Sequence, residues 1–161
     1  MKTLIVMRHA RAEPDSPSGD FARKLTPKGI AEATAGSGRI ASLELRPDRV
    51  VTSGAARALA TAEIAASRLD ALELLVMDDR IYDAEFAALF LVVTEIPDEC
   101  ETVLLVGHNP GVEDFVDQLA AGHGGLAAFT PAAFVVIDIS VASWGALGAS
   151  CGVVRSSWRP E

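Results

Sequence analysis

Leu4-Ile5-Val6-Met7-Arg8-His9 is a run of four apolar residues that stops on two polar ones. Its pattern returns as Val103-Leu104-Leu105-Val106-Gly107-His108-Asn109-Pro110. Neither run alternates. Continuously apolar strands are those of a parallel sheet covered by helices on both faces. In an open α/β sheet, ligands sit outside the carboxyl ends of the strands. Two such strands, parallel and adjacent, would deliver His9 and His108 to one crevice. A third short run, 49–52, ends at Ser53, and Arg57 follows in the first turn of the next helix.

Outward from these runs, short β-rich segments alternate with longer helical patterns. Strands are predicted at 3–7, 49–52, 73–77, 102–106, 134–139 and 152–157, the first four continuously apolar. Thr26-Pro27 reads as an N-cap before a proline at the first helical position, opening a helix to about Ser42. Asn109-Pro110 repeats that signal, and Val112, Phe115, Val116 and Leu119 then form one apolar stripe. Ser53 reads as the cap of a helix over 54–68. The segment 84–94 is apolar nearly all round and reads as a well-buried helix. Between the first strand and the Thr26 cap, 11–24 reads as a surface loop. The alternation predicts one domain spanning 1–161: a three-layer α/β/α sandwich, its sheet mostly parallel with one antiparallel strand near the C-terminus.

Composition narrows the function. Half of the 161 residues are apolar and 22% are charged, as in globular proteins. The net charge of −8 argues against nucleic acid, which requires a basic footprint. No apolar stretch approaches the roughly 20 residues of a membrane span, and the N-terminus shows no secretory signal. No membrane association and a cytoplasmic location are therefore expected. Cys100 and Cys151 lie far apart and read as reduced, with one disulfide left open by sequence. No His, Cys, Asp or Glu set has metal-ligand spacing, a P-loop is absent, and Gly36-Ser37-Gly38 falls within a helical pattern. Neither metal nor cofactor is expected.

The crevice then holds Arg8, His9, Arg57 and His108. Guanidinium groups match phosphate oxygens and stay charged. A neutral histidine can attack phosphorus and carry the phosphoryl group covalently. A second, protonated histidine could stabilise the charge on the group in transfer. Each residue alone has a bland explanation: His108 as a helix cap, Arg57 as a solvated helix residue. Their joint occurrence at strand ends and at a helix start points to phosphoryl transfer, which asks mainly for positioning and positive charge. His123, in Ala-Gly-His-Gly-Gly, reads as an exposed loop residue without a role.

With these residues in place, the chain resembles the histidine phosphatase superfamily, which is phosphoglycerate mutase-like in fold. Within it the chain is similar to the short bacterial SixA-type phosphohistidine phosphatases. The resemblance rests on Leu4 to Ala10, on Arg23-Lys24-Leu25-Thr26-Pro27-Lys28-Gly29, on the segment from Thr52 to Thr61 and on Leu105-Val106-Gly107-His108-Asn109-Pro110. It implies His9 as nucleophile, with Arg8, Arg57 and His108 around the phosphate, and it adds Arg23 as a phosphate contact. It also implies a metal-free hydrolase acting on a phosphorylated protein or a small phosphorylated substrate.

The chain departs from the family pattern in three places. Arg-His-Gly is here Arg8-His9-Ala10, so the turn after His9 is expected to differ slightly. A Ser-Pro is replaced by Ser53-Gly54, a change expected to matter little. The usual glutamate before an aromatic-glycine pair is missing, leaving Asp79 and Asp83 as the candidates for a general acid. Together with the lack of lid insertions, that absence favours a phosphohistidine on a protein partner. The alternatives are a small-molecule phosphomonoesterase or mutase, and a non-catalytic phosphoprotein-binding module.

Overall fold

The structure, a computed structural model, describes residues 1–121, 126 and 128–161. His123 lies outside the described residues. Six strands form one sheet: β1 (Lys2–Arg8), β2 (Arg49–Thr52), β3 (Leu75–Met77), β4 (Thr102–Gly107), β5 (Phe134–Ile139) and β6 (Gly152–Trp158). Their order is β3-β2-β4-β1-β5-β6. The pairings β2–β3, β2–β4 and β1–β4 are parallel, whereas β5 runs against both β1 and β6. The predicted mostly parallel sheet with one reversed strand is observed.

Four α-helices cover the sheet: α1 (Pro27–Ser42), α2 (Ala56–Arg68), α3 (Phe86–Thr94) and α4 (Gly111–Ala120). Successive strand residues point to opposite faces, and the core divides accordingly. Ile5, Met7, Val50, Leu104, Val106 and Phe134 pack with Ala33 and Ile40 of α1 and Ala58, Ala62 and Ala65 of α2. Leu4, Val6, Val51, Val103, Leu105 and Val135 pack with Leu89 and Val93 of α3 and Val112, Phe115 and Leu119 of α4. This is the expected three-layer sandwich.

Register sets the site. β1 and β4 pair with Met7 opposite Val106 and Arg8 opposite Gly107, and β2 pairs with β4 at Thr52 opposite Val106. Ser53, His9 and His108 therefore leave three neighbouring parallel strands at nearly one level.

Several local expectations change. The third strand is shorter than 73–77, because Leu72–Leu74 forms a 3-10 turn. As the sheet edge it leaves Val76 and Met77 exposed, so its apolar run does not mean cover on both faces. The helix expected over 54–68 starts at Ala56, and Ser53 accepts the Ala55 N–H rather than capping the first turn. Asn109 does not cap α4 either; the helix begins after Pro110, across a cis Asn109–Pro110 bond, and Asn109 Nδ2 donates to the Phe129 carbonyl. The helix expected over 84–94 begins at Phe86 and exposes Leu91. Thr26 caps α1 as predicted, accepting the Gly29 N–H at 3.0 Å. Both cysteines are free. Among the described residues no helix is long and apolar enough to cross a membrane.

Candidate active site

His9 follows directly on β1, and its backbone N–H donates to the Gly107 carbonyl on β4. Its ring Nδ1 lies 2.7 Å from the Ala10 carbonyl. A carbonyl only accepts, so Nδ1 carries the proton and the lone pair sits on Nε2. Ala10 is itself fully buried and fixed, its N–H donating to Thr61 Oγ1 on α2. Ala10 is not among the residues with positive φ, so alanine serves here without the conformational freedom of glycine.

His108 follows β4. Its ring centroid is 5.1 Å from that of His9, and its Nε2 lies 2.8 Å from Ser53 Oγ. Tyr82 stands edge-on to His108, with centroids 5.5 Å apart. Both histidines are buried. Burial pushes the His9 imidazole down to about 3, with His108, Arg57 and Arg8 adding to the effect. Burial and then Arg57 push His108 down to about 4. Both rings are thus neutral at pH 7. This suits His9 as a nucleophile; His108 sits in a desolvated pocket beside a guanidinium, where the charge of a phosphoryl group in transfer would favour the protonated ring.

Arg57, in the first turn of α2, is buried. Its Nη1 donates to the Asp20 carbonyl at 2.8 Å and its Nη2 to Asp20 Oδ2 at 3.1 Å. Arg8 closes β1 and donates from Nη1 to the Phe129 carbonyl. Arg8 Nε, Arg57 Nε and His108 Nδ1 are buried with no hydrogen-bond partner among the described residues. Buried polar groups without partners are costly, and phosphoryl oxygens are acceptors that two of these N–H groups would satisfy.

A cavity of about 290 Å³ is lined by Asp20, Arg57, Tyr82, Asp83, His108 and Asn109. Asp83 lines it from a left-handed position after the Asp79–Ile81 turn. Asp79 does not line it. A Cβ added at Gly54 would come within 2.9 Å of Asp79 Oδ1, so the Ser-Gly replacement lets Asp79 pack over the backbone there. Arg23 reaches the site through Asp20, donating from Nε to Oδ1, while its Nη1 is held by the Glu13 carbonyl.

Sequence reasoning missed Asp20, Tyr82 and Ser53's contact with His108. Asp20 gathers Arg23, Arg57 and the Tyr82 hydroxyl, and those donors hold its carboxyl down to about 2. The spacing of Asp20 three residues before Arg23 was the one available signal. Among the described residues no three His, Cys, Asp or Glu gather in a way that could hold a metal ion.

Comparisons with known proteins agree with this geometry. The chain superposes on the SixA phosphohistidine phosphatase structure from Nakamurella multipartitia with a TM-score of 0.82 and 27% identity, covering 99% of this chain and 96% of that one. The SixA structure from Agrobacterium tumefaciens gives 0.82 and 25%, covering 99% of both chains. A SixA protein histidine phosphatase complexed with tungstate shares the fold at 0.82 and 20% identity, covering 98% of this chain and 96% of that one. No curated protein matches the sequence. The histidine phosphatase superfamily (branch 1) matches residues 4–89, over half of the chain. The chain belongs to that superfamily and is a phosphatase of the phosphoglycerate mutase-like α/β fold.

Proposed function

We propose that the chain hydrolyses phosphohistidine on a protein partner through a covalent phospho-His9 intermediate. The observation that carries the covalent step is the His9 ring, neutral and clamped at Nδ1, with its Nε2 lone pair left for attack beside Arg57 and His108. Nε2 attacks phosphorus, the bond to the leaving group breaks, and water then hydrolyses phospho-His9. Arg8, Arg57 and His108 hold the phosphoryl oxygens, with Arg23 acting beside them.

The leaving group selects the substrate. An alkoxide needs an acid to protonate it, whereas an imidazole titrates near pH 6.5 and leaves once its ring is protonated. Of the two carboxylates on the cavity, Asp20 is held ionised by three donors and has no proton to give at neutral pH. The similarity to SixA structures supports the same substrate class.

Asp83 favours a second reading. It lines the cavity beside His108 and could protonate the alcohol of a small phosphate ester. The test compares kcat/KM for a phosphohistidine protein with that for alkyl and aryl phosphates. The phosphohistidine protein should be best and alkyl phosphates worst. Asp83→Asn and Asp79→Asn should each lower phosphohistidine turnover less than about tenfold, or about 1.4 kcal/mol of barrier. Acid-labile phosphate on His9 in quenched reactions, and loss of turnover in His9→Ala, check the intermediate. Better turnover of alkyl esters, abolished by Asp83→Asn, would move the assignment to a small-molecule phosphatase.

A further inference from the structure

Asp20 stands where an anion is least expected, against the arginines of a phosphate site. Its Oδ2 accepts from Arg57 Nη2 and from the Tyr82 hydroxyl at 2.5 Å, its Oδ1 from Arg23 Nε at 2.9 Å, and its carbonyl from Arg57 Nη1. Both Nη groups of Arg57 are thereby engaged, while its Nε is not. The Arg57 side chain is 6% exposed and that of Asp20 is 54% exposed, so the carboxylate lies on the solvent side of the guanidinium. It lines the cavity there with Asp83, which puts two carboxylates around the cavity's one guanidinium among the described residues.

A purely structural ion pair is a poor account of this arrangement. Asp20 begins a three-residue 3-10 turn that buries none of its residues, so the fold gains little from anchoring it. Its contacts instead converge on the groups around the phosphate.

We propose that Asp20 is an affinity-setting residue: a resident carboxylate on Arg57 Nη2 that weakens the hold on free phosphate and speeds its release. The inference rests on the reading of His9 as phosphate acceptor and concerns the second half-reaction. Water attacks phosphorus and the bond to His9 Nε2 breaks. The electron pair returns to the ring, and inorganic phosphate departs as the dianion carrying the water's oxygen and one of its protons, the other proton passing to solvent. A product held by two guanidinium groups and buried N–H donors would leave slowly. A carboxylate fixed against one of those guanidinium groups repels the dianion from close range and needs no rearrangement to do so. The substrate feels this repulsion less. Phosphohistidine with its ring protonated has a net charge of −1, because the imidazolium offsets one of the two phosphoryl charges, whereas the free product is a dianion.

The test is calorimetric titration of inorganic phosphate into the full-length protein and its Asp20 variants, paired with phosphate inhibition of turnover. Asp20→Asn keeps the shape and an acceptor oxygen but removes the charge. It should bind phosphate more tightly, on the order of tenfold after solvent screening of the exposed carboxylate. Asp20→Ser should tighten binding likewise. Asp20→Glu restores the charge and should stay within about twofold of the parent. Unchanged or weaker phosphate binding in Asp20→Asn and Asp20→Ser would overturn the proposal, since a merely positioning residue would loosen the site when lost. Tightening in Asp20→Glu equal to that in Asp20→Asn would overturn it too. Calorimetry uses no substrate, so a failed phosphohistidine assay would sink the substrate assignment and leave this result readable.

Discussion

Burial has set the charge of two histidines in this protein, and the consequence is measurable. An unfolded histidine titrates near 6.5, whereas folded His9 and His108 titrate near 3 and 4. Between these values the unfolded chain binds more protons than the native one. Stability is therefore complete above about pH 6.5 and lost as pH falls toward 4. Asp20, held down by the Tyr82 hydroxyl and then by Arg23 and Arg57 against the effect of burial, acts in the same direction at lower pH, contributing stability that is lost only as pH falls from about 4 through 2. Denaturant unfolding at pH 7 and at pH 4.5 should show this loss, and a His9→Asn, His108→Asn double variant should flatten it. At Arg57 the expected effect is on affinity. Arg57→Ala should weaken phosphate or vanadate binding by about 1.5–3 kcal/mol, roughly ten- to a hundredfold, as measured by titration. The histidines and arginines were legible because each is tied to the end of a strand or the start of a helix. Asp20 and Tyr82 were not, because they meet Arg57 and each other across 37 and 62 residues of sequence through loops. Nothing periodic marks such contacts.

Among the elements, α1 shows how a loop is fastened to a helix start. Thr26 caps the helix through Gly29, and the Thr26 N–H donates to the Arg11 carbonyl at 3.0 Å. That carbonyl also lies against Gly29, where an added Cβ would fall 2.0 Å from the Arg11 oxygen. Backbone cannot yield as the tip of a side chain does. Gly29→Ala should therefore destabilise by about 1–3 kcal/mol in a thermal or urea melt, although alanine is the better helix former. It should also lower activity, since the strained loop carries Asp20 and Arg23. The cap at Thr26 was legible because its signal is local. Ser53 and Asn109 offered the same local signal, yet their side chains went elsewhere: Ser53 to His108 and Asn109 to the Phe129 carbonyl. Tertiary partners at a strand end outcompete a helix cap when both are within reach. The third strand failed for a related reason, because edge position rather than composition decides whether an apolar run is covered.

At the level of the whole molecule, the pattern of apolar runs was enough for the three layers and the reversed strand. The strand order was out of reach, since it depends on which crossovers pack best. That order places β1 between β4 and β5, deep in the sheet. The Arg8 N–H donates to the Ala133 carbonyl and the His9 N–H to that of Gly107, while Asp20 rides an exposed turn. The two halves of the site thus belong to opposite ends of the molecule's range of opening rates. Amide exchange at Arg8 and His9 should require dissolution of the sheet, whereas the amides of the Asp20 turn should exchange through local fraying. Hydrogen–deuterium exchange with mass spectrometry should separate the two by orders of magnitude, and equal rates would contradict this picture. The nucleophile then keeps its place over many openings of the turn, and the grip on an anion can change on the clock of a loop while the attacking nitrogen keeps the clock of the fold.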